Sequence, residues 1–185
     1  EIIRAAKNSP GLLNDATKLK FSLFGDPAVR LGVPFNNVKT LSLNGQPIAS
    51  VAKDTLKALS KVEIQGEVQD LNNQKMQSFN GVMSVSIFDK PSRRNTLLND
   101  GWGDTVNFLL QNNLLYRGKV EVVNGDFSVN FIVPKDISYR FDNGKFSFYA
   151  YNDTIDAAGC DESAIVGGFN NNSEIDEIGP EVELY

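Results

Sequence analysis

The sequence predicts a mainly β protein, an immunoglobulin/fibronectin-like antiparallel β-sandwich of about seven strands. Three observations carry that expectation. Apolar and polar residues alternate in run after run, Asn-Gly and Gly-rich turn signals separate the runs, and helical spacing is confined to the start of the chain.

The opening differs from the rest. Ile2, Ile3 and Ala6 have the spacing of a short helix face, and Asn8-Ser9-Pro10-Gly11 stops it. Leu19, Phe21 and Leu23 then alternate with polar residues as a strand does, ahead of the turn Gly25-Asp26-Pro27. Helix followed by strand is the grammar of an α/β domain, yet no further α/β unit follows. Residues 1–34 therefore read as the C-terminal remnant of a preceding domain, and a chain opening on Glu1 rather than Met reads as a piece of something longer.

From Val38 onward the pattern is β. Leu41 and Leu43 lead into the Asn44-Gly45 turn, and residues 54–60 read as a short helical turn or an irregular connection. Val62, Ile64 and Val68 face one way while Glu63, Gln65 and Glu67 face the other, which puts one face on a core and one in water. Asn72-Asn73 turns the chain, and Met83, Val85 and Ile87 continue the alternation. Residues 90–105 read as a polar, Gly-rich loop, with Lys90, Arg93 and Arg94 as a solvated basic cluster.

Val120 and Val122 enter Asn124-Gly125, and Phe127, Val129, Phe131 and Val133 leave it, the signature of a β-hairpin. Pro134 ends that strand because it has no N–H for a ladder. Asp142-Asn143-Gly144 reads as a turn into Phe146, Phe148 and Ala150, with Tyr149 and Tyr151 on the opposite face. Ala164-Ile165-Val166 reads as the closing strand. The sandwich is thus expected over 35–169, followed at 170–185 by an acidic linker and the start of another β domain.

Composition excludes several chemistries. The chain has 0 histidines and 1 cysteine, so it can build neither a Ser-His-Asp triad nor a Cys-His dyad. Histidine-containing zinc sites, thiolate clusters and an internal disulfide are excluded too. A net charge of −5 argues against nucleic acid as a partner. No apolar run reaches the roughly 20 residues of a membrane-spanning helix.

The remaining candidates each have a plain alternative. Cys160 lies beside Asp161 and Glu162, which disfavour a thiolate, and reads as an inert loop residue. Asn152, Asp153, Asp156, Asp161 and Glu162 lie close in sequence but match no calcium-loop spacing, so no metal or cofactor is expected. Tyr149 and Tyr151 offer a sugar-stacking platform or a face for a neighbouring sheet or domain. Trp102 offers an exposed aromatic or a loop anchor on the core.

Several segments resemble a known family. Residues 21–31 (Phe-Ser-Leu-Phe-Gly-Asp-Pro-Ala-Val-Arg-Leu) resemble the closing strand and turn of gingipain-type cysteine peptidase domains. Residues 54–59, Tyr116-Arg117-Gly118, residues 131–137 and Ile165-Val166-Gly167-Gly168 resemble the region after the peptidase domain in type IX secretion sortases. Residues 179–184 resemble the entry to the next domain there. The resemblance implies a non-catalytic accessory segment of a cysteine peptidase on the outer, extracellular surface of a Gram-negative bacterium. It places the catalytic His and Cys upstream of Glu1 and implies cargo cleavage and attachment to lipopolysaccharide by the parent protein. Its implied partners are the flanking domains of the same polypeptide and components of the secretion system. Gly25, Asp26 and Pro27 carry over as a structural turn. The competing expectation is a stand-alone surface module binding carbohydrate or protein through Trp102, Tyr149 or Tyr151.

Overall fold

A computed structural model describes residues 32–49, 55–99, 101 and 103–171. The expected N-terminal helix and strand, the Gly25-Asp26-Pro27 turn, Trp102 and nearly all of the acidic segment lie outside the described residues. The chain divides into two units, Glu1–Val33 and Pro34–Tyr185, and the described strands belong to the second.

The strands in chain order are β1 (Asn36–Leu43), β2 (Gln46–Pro47), β3 (Thr55–Ala58), β4 (Lys61–Gln69), β5 (Gly81–Phe88), β6 (Ser92–Asn95), β7 (Asn107–Leu110), β8 (Leu114–Val122), β9 (Asp126–Ile132), β10 (Asp142–Asn143), β11 (Lys145–Tyr151), β12 (Asp156–Asp161) and β13 (Ile165–Phe169). The described residues are mainly β, as expected. The main sheet runs β8-β5-β11-β12-β1-β4-β9, with β2 attached to β1.

β8 and β9 lie at opposite ends of that path, yet the short Asn124-Gly125 turn joins them in the chain. The sheet must therefore double back. It becomes a sandwich, close to a barrel, with β8-β5-β11-β12 as one wall and β1-β4-β9 as the other. The apolar sets Val62, Ile64 and Val68, Met83, Val85 and Ile87, and Phe127, Val129 and Phe131 fill the space between them, all buried. Phe127 of β9 meets Phe148 of β11 across that space with ring centroids 5.4 Å apart.

The Asn124-Gly125 turn has φ of 51° and 80°, the left-handed pair that a two-residue turn needs. The expected hairpin, however, stops at the turn. Val123 and Asp126 form one bridge, after which β8 pairs with β5 and β9 pairs with β4. The turn is held by β4 and by the connection that follows it: Val68 N–H donates to the Gly125 carbonyl at 2.8 Å, and Gly125 N–H donates to Phe79 O at 2.8 Å. Further along, Tyr116 of β8 stacks on Phe131 of β9 at 5.1 Å, so side chains cover the gap that the ladder leaves.

The opposite seam joins β12 to β1 in parallel, with Asn36 opposite Ala157 and Asn37 opposite Ala158. β13 and β3 also pair in parallel, so the sandwich is not wholly antiparallel. Small residues define the β12 seam. A Cβ on Gly159 would overlap the Val38 carbonyl, so glycine is required there, and pairing with β11 and β1 holds Ala-Ala-Gly as a strand despite weak intrinsic preference.

Other expectations change. Residues 55–58 are a strand rather than a helical turn, because Leu56 and Ala58 alternate inward and are fully buried. β3 joins β10 and β13 in a 3-stranded sheet. Asp142-Asn143 is therefore a short strand rather than a free turn, and β13 belongs to that side sheet instead of closing the sandwich. Leu41 points outward because the β1–β4 register shifts between Thr40 and Ser42, which reverses the inward face before Leu43. The supposed loop after residue 90 contains the β6–β7 ribbon, with Arg93 opposite Leu109 and Arg94 opposite Phe108.

The grip of β4 and the β4–β5 connection on the turn gives a direct test. Gly45 and Gly125 both have positive φ, but a Cβ has nothing within 4 Å at Gly45 and meets Met76 O at 2.5 Å at Gly125. Gly45→Ala should lower the unfolding free energy by about 1–2 kcal/mol through backbone strain alone. Gly125→Ala should cost clearly more, read as the larger drop in urea midpoint. Equal losses would show that the turn is not packed against the β4–β5 connection.

Candidate functional site

The outward face of β11 carries the sequence-predicted tyrosines together. Residues 146, 148 and 150 fill the core, so Tyr149 and Tyr151 face solvent, 44% and 36% exposed. Their rings stack with centroids 5.8 Å apart at an interplanar angle of 26°. Tyr149 Oη donates to Asp156 Oδ2 at 3.0 Å. That acceptance by the carboxylate holds the phenol above its ordinary titration range.

The loop beyond β11 is fixed by Asn152. Its Oδ1 accepts from the N–H groups of Thr154 and Ile155, each at 3.0 Å. Its Nδ2 donates to Asn80 O at 3.3 Å. The tyrosines, this loop and Asp156 line a shallow depression of about 390 Å³. A larger one, about 670 Å³, is lined by Asn44, Lys61, Val62, Glu63, Asn130, Phe131 and Ile132. Polar groups of that surface already bond among themselves: Ser128 donates to Glu63 and Asn130 donates to Ser128. The smaller depression is the better ligand candidate because it presents exposed aromatic faces beside a carboxylate.

A second polar centre arises where the sequence suggests only a loop. Lys90 is 4% exposed and is not part of a solvated basic cluster. Its ammonium lies 2.7 Å from Asp89 Oδ1, and Asp89 is equally buried. The same oxygen accepts the Lys90 N–H at 2.8 Å. Asn113 Nδ2 donates to Asp89 Oδ2 at 3.3 Å, and Asp89 N–H donates to Asn113 O at 2.8 Å. Gln111 Nε2 donates to the Asp89 carbonyl at 2.9 Å. The centre thus ties the end of β5 to the connection between β7 and β8. The alternation Met83, Val85, Ile87 already carries the signal, since its next member, Asp89, falls on the inward face.

Asp156, which the sequence raises only as one of a group of acidic loop residues, is brought beside the tyrosines by the pairing of Tyr151 with Asp156 at the β11–β12 turn. Cys160 lies on β12, where desolvation first and the Glu162 charge second push its thiol up, away from nucleophilic use. Among the described residues no group of three or more His, Cys, Asp or Glu could hold a metal ion.

No protein-family profile matches the chain. No curated protein matches it either. Among solved structures, the crystal structure of dimeric latent PorU from Porphyromonas gingivalis aligns at 31% identity and a TM-score of 0.66, over 83% of this chain. This chain spans 14% of the PorU chain. Spo0M, a sporulation control protein from Bacillus subtilis, aligns at 13% identity and a TM-score of 0.42, over 74% of this chain and 51% of that one, too slight a likeness to bear on function. The PorU likeness supports a relation that goes beyond shared architecture.

The buried pair makes a stability prediction. Lys90→Met leaves the Asp89 carboxylate buried without its countercharge and should lower the unfolding free energy by about 3–5 kcal/mol. The double change Asp89→Leu with Lys90→Met should recover much of that loss in the same urea titration. A single-mutant loss under about 1 kcal/mol, the range of exposed pairs, would refute the buried-pair account.

Proposed function

We propose that the chain is a non-catalytic β-sandwich accessory segment of a larger, cell-surface protein related to PorU, a type IX secretion sortase of the gingipain kind. The observation that carries this reading is the alignment itself, 31% identity over 83% of this chain against 14% of PorU. A chain with 0 histidines supports it, because a Cys-His dyad would have to come from elsewhere in the polypeptide. In this reading the parent cleaves C-terminal sorting domains and joins cargo to lipopolysaccharide, while this segment supports the peptidase domain and spaces it from downstream modules. An antibody against residues 35–169, used on native cell envelopes, tests the reading. The expected product is several times heavier than 20.3 kDa and yields peptides containing upstream His and Cys. A product near 20.3 kDa would overturn it.

A second reading, a surface module that binds carbohydrate, draws on the exposed Tyr149–Tyr151 stack beside Asp156. Sugar rings lie on aromatic faces while carboxylates accept their hydroxyls. Under this reading, glycan-array binding is expected and is abolished by Tyr151→Ala. No binding to any glycan, or binding indifferent to that change, would remove it.

A further inference from the structure

We propose that Lys90 and Asn113 become joined by an intramolecular amide bond, formed at the buried carboxylate of Asp89. The observation behind it is an arrangement of amine, carboxylate and carboxamide. The amine sits on one oxygen of Asp89 at 2.7 Å and the Asn113 carboxamide sits on the other at 3.3 Å. Backbone bonding between Asp89 N–H and Asn113 O at 2.8 Å holds the two segments together independently of the side chains. Reactants held side by side gain the large effective concentrations of intramolecular reactions.

The chemistry balances without any added reagent. Lys90 transfers a proton to Asp89, giving a free amine and a carboxylic acid. Rotation of the Asn113 carboxamide by a half turn brings its Oδ1, in place of Nδ2, against that acid, which then donates to the oxygen and polarises Cγ. Lys90 Nζ attacks Cγ, the Nζ–Cγ bond forms, and the Cγ–Nδ2 bond breaks. Nδ2 leaves as ammonia, carrying away the proton that Nζ sheds, and Asp89 keeps its proton, so no unpaired charge is left buried beside the new amide. Lys90 and Asp89 are each only 4% exposed, so the amine and the acid meet with little water between them, and Asn113 lies at the surface, where ammonia can leave.

A structural ion pair is the plain alternative. Buried pairs contribute little net stability over apolar residues of similar size, so stability alone is a weak reason to place one here. The two accounts differ in covalent structure. The protein, folded and incubated at length, is digested and mapped by tandem mass spectrometry. The expected result is a branched peptide linking Lys90 to Asn113, one ammonia lighter than its two parts. The branched peptide decides, not the intact mass, because ring closure at the Asn-Gly sequences also releases ammonia. Asn113→Ala, a change at a surface side chain, should abolish the branch while circular dichroism shows the fold retained. Recovery of Lys90 and Asn113 only as unmodified residues from the folded protein would overturn the proposal, as would a branch to Gln111 or one that survives Asn113→Ala.

Discussion

Closure at Asn124-Gly125 governs how the rest of this sandwich can be built. The residues before and after this turn belong to strands at opposite ends of one long sheet path. A two-residue turn cannot span a flat sheet of that width, since neighbouring strands lie about 4.8 Å apart. The sheet therefore folds back until its ends meet, and the inward faces of all its strands are committed to one another. Outward display follows from the same constraint. With Phe146, Phe148 and Ala150 consumed by the core, Tyr149 and Tyr151 have only the solvent face available. Closure also places the two end strands beside each other, where the Tyr116–Phe131 stack covers the seam, so that neither presents a wide-open edge.

The seam between β12 and β1 solves the opposite problem. There the two walls are joined by backbone pairing rather than by side chains, and the chain of Val38 passes close against Gly159. Large β-formers would hold the strands apart. The strand is instead built from Ala157, Ala158 and Gly159, and its stability comes from pairing on both sides, with β11 and with β1. Local preference and tertiary demand conflict at this point, and tertiary demand decides.

Those two seams separate what the sequence discloses from what it hides. The alternation of Val62, Ile64 and Val68, or of Met83, Val85 and Ile87, is a local property and reports the inward face correctly. The positive-φ turns at Asn44-Gly45 and Asn124-Gly125 are local too, and both occur. Partner choice is not local. The residues flanking Asn124-Gly125 look identical whether the two strands pair with each other or with β5 and β4. β12 is hidden in the sequence because its residues answer to Val38, far away along the chain. Leu41 misleads because a bulge changes the face of a strand without changing its composition. Lys90 is disguised by its company: Pro91, Arg93 and Arg94 are surface-like, while its partner Asp89 extends an apolar alternation into the interior.

The same distinction bears on function. The tyrosine pair is exposed, but its resources are partly spent, since each ring covers one face of the other and the Tyr149 hydroxyl is already given to Asp156. A ligand would find ring faces and little free polar selectivity. The buried centre at Asp89 is the reverse: an amine, a carboxylate and two amide side chains are brought together from separate segments and oriented by main-chain bonds. Desolvating charge is expensive, and the expense falls on a joint between strands rather than on a ligand-facing surface. A protein organised in this way invests its specific chemistry in holding its own strands together. That fits a segment whose task is mechanical support within a larger polypeptide better than one whose task is recognition.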